Sequence, residues 1–404
     1  MRRPPLPLGS TIGILGGGQL GRMLTQAANK LGLKSHIYSD IPNTPATEVA
    51  GRCTIGAYDD LEALSGFARQ VDVITYEFEN VPVAAARHLE SLTPVRPSPS
   101  ALAVAQDRLA EKQFLADCDI PLAAFAEVRN QASLTEVAQA IGLPAILKTR
   151  FLGYDGKGQS HIRTNDDIAS AYAEIDAKPA VLESFVPFAH EISVIAVRGY
   201  APNSSLDAEP VEMFYDCPLN THENGVLRRS VIPSPIGDSD ITQAHQIARR
   251  ILRKLDYIGV LAVEFFYMGT PAVLDAANAK SAGGQQGNAE ESKLKFPTLL
   301  VNEIAPRVHN SGHWTMDGCA IDQFENHIRA VAGWPLGSTE RHSAVEMTNL
   351  IGDEINDWPI LLANEPTASI HIYGKSEARP GRKMGHINYL MPVRTSTKSS
   401  LKKS

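Results

Sequence analysis

Two glutamates sit where a charge is least expected. Glu264 lies within Val260–Phe266 and Glu303 within Leu299–Ile304, both apolar enough to read as strands. A carboxylate in such a strand needs a cation. Asn302 places an amide oxygen beside the second acid. If the two strands pair, this hard-oxygen set suits Mg2+ bridging nucleotide phosphates. Either glutamate alone could equally be the partner of a buried basic residue. Lys148 raises the converse question, because its ammonium lies in the apolar run Ala145–Thr149 and calls for an anion. The run Gly153-Tyr154-Asp155-Gly156-Lys157-Gly158 follows it. Three glycines and a lysine make a flexible, cationic loop able to cover phosphates, although the spacing is not that of a Walker A motif. The alternative is a strand lysine in a salt bridge, followed by an ordinary hairpin turn.

Arg307-Val308-His309-Asn310-Ser311-Gly312-His313 comes directly after the second acid. Arg307 can grip a carboxylate or carbonate with both prongs of its fork. A metal site from His309 and His313 is disfavoured, because Ser311-Gly312 breaks the helix that their spacing would need. A late basic cluster, Arg379–Lys383 with Lys375 ahead of it, reads either as a solvated turn or as a phosphate-binding loop. Near the N-terminus, Gly16-x-Gly18-x-x-Gly21 follows a strand and opens a helix, with Asp40 at the distance expected of a ribose-binding acid. The pattern suits any phosphate at a helix N-terminus, so a nicotinamide or flavin, another phosphate-bearing ligand and a purely structural turn all stay open.

These residues need elements to hold them. Thr11–Leu15, Leu33–Tyr38 and Val71–Tyr76 read as strands, and Leu20, Met23, Leu24, Ala27 and Leu31 recur at helical spacing between the first two. That alternation predicts a parallel sheet covered by helices. After Pro121 come strands at Ala145–Thr149, near Ala180–Ser184, at Glu191–Arg198, Gly259–Tyr267 and Leu299–Glu303, with a helix over Ser239–Leu255. The polar run Gly269–Lys295 reads as a mobile, solvated insertion in a hairpin. Signals thin out beyond Gly337, and Arg394–Ser404 reads as a disordered tail.

The chain has 404 residues, 43% of them hydrophobic and 21% charged, enough for two or three domains around a sizeable core. A formal net charge of −7 argues against nucleic acid as the main partner. The cysteines Cys53, Cys118, Cys217 and Cys319 form no C-x-x-C pair and suit reduced thiols in a cytoplasmic protein. Prolines after Arg2 and Arg3 do not make a signal peptide, and no segment approaches the roughly 20 apolar residues of a membrane helix.

Taken together, Gly13–Met23, Gln106–Lys112, Gly153–Gln159, Asn302–Trp314 and Arg379–His386 closely resemble the ATP-grasp ligases. Among those, the match is to the N5-carboxyaminoimidazole ribonucleotide synthases of purine biosynthesis. Asn302–Trp314 is the most specific of these runs and the glycine fingerprint the least. The matching runs keep family order over roughly residues 10–388, whereas Leu390–Ser404 is unlike the family's continuation. The resemblance implies an α/β, ATP-grasp fold with three parts. These are a Rossmann-like pre-ATP-grasp domain (1–118), an ATP-grasp domain (119–336) and a small C-terminal domain (337–404). The second would hold a lid subdomain at about 121–190 and the insertion at about 269–296.

It further implies ATP-dependent carboxylation of 5-aminoimidazole ribonucleotide with bicarbonate, through carboxyphosphate, by a cytoplasmic homodimer using Mg2+ or Mn2+. By resemblance, Arg108 and Lys148 meet the ATP phosphates under the loop Gly153, Tyr154, Asp155, Gly156, Lys157, Gly158 and Gln159. Glu183, Ser184 and Val186 border the adenine, Glu191 takes the ribose, and His222 and Asn302 complete the nucleotide site. Glu264 and Glu303 carry the metal, and Arg307, His309 and Asn310 place bicarbonate. Tyr154, Asp155, Lys375 and Arg382 bind the ribonucleotide, with Gln19, Leu20 and Glu77 bordering that pocket and Asp155 able to relay the amine proton. Three rival readings stay open. One is another ATP-grasp carboxylase or ligase, acting on biotin or forming a glycinamide. The others are a nicotinamide-dependent dehydrogenase and a non-catalytic nucleotide-binding protein.

Overall fold

The computed structural model describes residues 4–153, 157–205, 207–269 and 297–391. The insertion expected at 269–296, apart from Gly269, and the polar tail expected at 394–404 lie outside them. The first strands are β1 (Thr11–Leu15), β2 (Lys34–Ser39), β3 (Arg52–Ile55) and β4 (Val73–Tyr76). They form a parallel sheet in the order β3-β2-β1-β4. Helix α1 (Gln19–Lys30) follows β1 and buries Leu20, Met23, Leu24, Ala27 and Ala28, as an i, i+3, i+4, i+7 stripe requires. The helix Arg108–Asp117, α2, then leads into the second section; the Asp107 side chain caps it by accepting from Leu109 N–H.

A second, antiparallel sheet holds β5 (Phe125–Val128), β6 (Ala145–Thr149), β7 (Gln159–Ile162) and β8 (Ala180–Ser184) in the order β5-β8-β6-β7. Among the described residues the central sheet has nine strands. They are β9 (His190–Gly199), β10 (Val211–Phe214), β11 (Leu219–Glu223), β12 (Val226–Ile232), β13 (Gly259–Tyr267), β14 (Leu299–Ala305), β15 (Ala344–Ile351), β16 (Ser369–Ile372) and β17 (Lys383–Met391). The order runs β14-β13-β9-β11-β12-β15-β17-β16, with β10 also on β9. Strand β15 pairs with β12 over Arg229–Ile232, so the sheet passes unbroken across residue 336. Local sequence pattern signals these last three strands only weakly.

Helix α3 (Asp238–Lys254) covers one face of the sheet through Ala244, Ile247, Ala248, Ile251 and Leu252. On the other face α4 (Gln323–Val331) packs against α1. Phe324 and Ile328 share a core with Leu24 of α1, Ile12 of β1 and Ile195 of β9. His327 of α4 fastens the first sheet to the central one. Its Nδ1 accepts from Val260 N–H at 3.1 Å, which leaves Nε2 to donate to Thr75 Oγ1 at 2.8 Å. Full burial pushes its pKa down to about 3, so the ring stays neutral. Among the described residues no helix is long and apolar enough to cross a membrane.

Candidate active site

The two unexpected acids meet. Strands β13 and β14 are antiparallel, and Glu264 stands opposite Glu303 in register. Immediately beyond, Phe265 pairs with Val301, so Asn302 is the extra residue of a bulge. Glu264 Oε1 lies 3.1 Å from His309 Nε2. Burial alone would raise the Glu264 pKa, but His309, His222 and Lys383 override it and hold the carboxyl at about 2. Glu303 Oε2 accepts from Arg108 at 3.2 Å. The sequence pointed to this pair because a charge inside an apolar strand demands a partner; the register that joins them comes from the fold.

Lys148 faces the same spot from β6. Its Nζ lies 3.0 Å from Glu183 Oε2 and 3.3 Å from Asn302 Oδ1. A second ammonium, Lys112 of α2, lies 3.1 Å from the same Glu183 oxygen and donates to the Asn302 carbonyl at 2.7 Å. Burial tends to neutralise Lys148, and its pKa lies below the ordinary lysine value despite Glu183. Two buried ammoniums on one carboxylate leave a net positive charge beside the β13–β14 acids. Among the described residues, Glu183 Oε1 and Arg108 Nε are moreover buried without a hydrogen-bond partner. The Arg108 and Lys148 donors fit an incoming polyphosphate, and the facing carboxylates fit a divalent cation.

Around this centre the other candidates fall as follows. Gly153 lies beside Arg108, and Gly158 adopts φ +70 with its carbonyl accepting from Thr149 N–H at 2.8 Å. Lys157 and Gln159 are exposed. Tyr154, Asp155 and Gly156 lie outside the described residues. Ser184 extends β8 beside Glu183, with its N–H bound to the Ala124 carbonyl at 2.8 Å, and Val186 is buried just beyond. Glu191 Oε1 is 3.2 Å from His222 Nδ1. With Glu264 they place three ligand atoms within 4.8 Å of one another. Burial would lower the His222 pKa, yet Glu191 and Glu264 raise it above the ordinary histidine value.

Arg307 reaches the site, but its fork is engaged by the two oxygens of Glu79, the Nη2 contact being 3.0 Å. Asn310 and Asn349 exchange amide hydrogen bonds of 2.9 Å each way, and Asn349 also donates to the Leu227 carbonyl. His313 is buried against Gln323, Phe324 and His386, a core histidine and not a ligand beside His309. Lys375 donates to the Lys383 carbonyl at 2.7 Å, and Arg382 to that of Glu377 at 2.9 Å. Lys375 lies near enough to Glu77 to lower its pKa, though burial, the larger influence, leaves that carboxyl raised.

The glycine fingerprint holds a ligand from its own chain. Glu77 accepts from Gly18 N–H through one oxygen and from Gly21 N–H at 2.6 Å through the other, at the start of α1 beside Gln19 and Leu20. Two of the amides at this helix start, those of Gly18 and Gly21, are thus engaged, and Asp40 is exposed. This geometry gives no support to the nicotinamide reading of that motif.

Sequence reasoning passed over Glu79, Glu111, Lys112 and Asn349. Glu111 is buried, and its Oε1 accepts from Ile304 N–H at 2.6 Å. Burial raises its pKa to about 7; Glu303 adds to the rise and Arg108 opposes it. Its sequence signal was available: Arg108, Glu111 and Lys112 share one helix face with the buried Leu115, where apolar residues are the rule.

Three family models match the chain in order. They are the ribonucleotide synthetase preATP-grasp domain (residues 9–106), the ATP-grasp domain (113–324) and the phosphoribosylaminoimidazole carboxylase C-terminal domain (346–400). The last runs past Asn388, where the resemblance was expected to end. The N5-carboxyaminoimidazole ribonucleotide synthase of Brucella melitensis is 45% identical over 394 residues, covering 97% of this chain and 99% of its own. An N5-carboxyaminoimidazole ribonucleotide synthetase solved with ADP superposes with a TM-score of 0.85 at 34% identity, over 96% of this chain and 94% of its own. The Aspergillus clavatus synthase, solved with ADP and 5-aminoimidazole ribonucleotide, gives 0.80 at 29% identity over 95% and 94%. The chain therefore belongs to the N5-carboxyaminoimidazole ribonucleotide synthase family of ATP-dependent ATP-grasp ligases.

Proposed function

We propose that this protein uses ATP to join bicarbonate to the amine of 5-aminoimidazole ribonucleotide, giving the N5-carboxylated ribonucleotide, ADP and phosphate. The observation that carries the reading is the cross-strand pairing of Glu264 with Glu303 beside Lys148 and Arg108. Bicarbonate is a poor electrophile. Its oxygen attacks the γ-phosphorus, ADP leaves, and carboxyphosphate results. The amine then attacks the carboxyl carbon, or CO2 released from it, and phosphate departs. Positive charge around the transferred phosphoryl group is the main catalytic requirement.

Arg108 and Lys148 would hold the phosphates, with the 153–159 loop excluding water from labile carboxyphosphate. Glu183–Val186 would border the adenine, and Glu191 and His222 the ribose. Glu264 and Glu303, with Asn302 beside them, would hold Mg2+ or Mn2+, which supplies charge neutralisation when bound. His309, Asn310 and Arg307 would orient bicarbonate. Tyr154, Asp155, Lys375 and Arg382 would bind the ribonucleotide, near Gln19, Leu20 and Glu77. On the family resemblance we also take the protein to be a cytoplasmic homodimer divided near residues 118 and 336. ADP release is measured with and without the ribonucleotide and bicarbonate. The expected result is strong stimulation by both together, reduced at least about 100-fold in Glu303→Gln. Stimulation by glycine or biotin instead would assign the chain to a different ATP-grasp reaction.

A further inference from the structure

Among the described residues strand β14 is the edge of the central sheet; a single parallel bridge joins Leu122 to Val301, and the outward groups of Asn302–Ile304 have no ladder partner. The Asn302 bulge breaks the inner ladder at the same place. Val301 N–H is satisfied by the Pro121 carbonyl at 2.9 Å. The next two groups are taken by side chains of one helix. Lys112 Nζ donates to the Asn302 carbonyl at 2.7 Å, and Glu111 Oε1 accepts from Ile304 N–H at 2.6 Å. These residues lie on either side of Glu303, whose own carboxylate accepts from Arg108, one turn earlier on the same helix. Lys112 is fully buried and Glu111 only 3% exposed, so neither contact has water as a ready substitute.

We propose that Glu111 and Lys112 are positioning residues for the cation site: they clamp the peptide groups flanking Glu303 and so fix where its carboxylate points. The inference rests on the metal role given to Glu303 above. The alternative to a positioning role is mere coverage of a sheet edge. Coverage would affect stability without changing affinity for a cation. Groups that orient a metal ligand, in contrast, typically change metal affinity by about 10–100-fold when removed. Lys112 also holds the Glu183 oxygen that Lys148 shares, so one helix face ties Glu303 to the strand bordering the nucleotide site.

The test is Mn2+ binding to the full chain with ADP present, followed by electron paramagnetic resonance, alongside thermal melting. Glu111→Ala should weaken Mn2+ binding about tenfold or more, whereas Glu111→Gln, which keeps an acceptor for Ile304 N–H, should stay within about threefold of the parent. Glu111→Met, similar in length but with no acceptor, replaces the alanine variant if truncation unfolds the chain. Parental Mn2+ affinity in a folded Glu111→Ala or Glu111→Met variant overturns the proposal. So does Glu111→Gln binding as weakly as either, because charge and not the hydrogen bond would then be responsible. Glu303→Gln separates the two levels. Unchanged Mn2+ binding there removes the cation from Glu303 and takes the positioning role with it; loss there but not at Glu111 overturns the positioning role alone.

Discussion

The shared carboxylate of Glu183 offers the most quantitative test of the site. Its Oε2 lies 3.1 Å from Lys112 Nζ and 3.0 Å from Lys148 Nζ, and the three side chains are at most 9% exposed. Burial would raise the Glu183 pKa, but Lys112, Lys148 and Arg108 bring it from 4.5 down to about 2. A drop of that size corresponds to about 3 kcal/mol in favour of the charged, folded form. It is close to the roughly 3–5 kcal/mol usually lost when one partner of a buried pair is removed. The stabilisation is complete above the unfolded value near 4.5 and is lost as pH falls toward 2.

Glu183→Gln keeps the shape and removes the charge. Near neutral pH its melting temperature should fall by roughly 6–12 °C, taking 2–4 °C per kcal/mol for a domain of this size. Loss of the Lys148 proton, already easier than for an ordinary lysine, is the route by which the variant could limit the cost. Nucleotide should reverse part of the loss, because its phosphates would supply the missing negative charge. Calorimetry with and without Mg-ADP should therefore show a larger ligand-induced rise in the variant than in the parent. A fall of less than about 2 °C, or equal rises in both proteins, would refute the argument that the two ammoniums depend on Glu183 until phosphate arrives.

Two further outcomes follow from residues the sequence did not single out. Glu79→Gln cannot hold both prongs of the Arg307 fork; kcat/KM for bicarbonate should fall about 10–100-fold while the KM for ATP changes little, as steady-state kinetics would show. Asn349→Leu removes the partner of the half-buried Asn310 amide and strands the buried Leu227 carbonyl. It should cost about 2–5 kcal/mol in urea unfolding, and a loss below 1 kcal/mol would place water at those groups.

How much of this could be read from the chain depended on whether the signal was local. Ala145–Thr149 and Gly259–Tyr267 occur as strands with the expected bounds, and the helix expected over Ser239–Leu255 spans Asp238–Lys254. In each, an apolar run or stripe specifies the element by itself. Strands β15–β17 are different: Ser369–Ile372 is short, and what makes it a strand is its pairing with β17, invisible to local pattern. The same division applies at the site. Glu264, Glu303 and Lys148 stood out because a charge within an apolar strand violates its surroundings. Glu79 occupies a loop, where a carboxylate violates nothing, so only the folded position of Arg307 gives it meaning.

The glycine fingerprint shows the limit most clearly. Spacing suggests that the amides of Gly18 and Gly21 could meet an anion, and they do. Spacing cannot say whose anion it is. The occupant is Glu77, reached through the fold by way of β4; burial raises its pKa above the ordinary value, opposed first by the Gly21 and Gly18 amides and then by Arg307 and Lys375. A motif associated with dinucleotides thus serves here to seat a carboxylate between the first domain and the proposed substrate pocket.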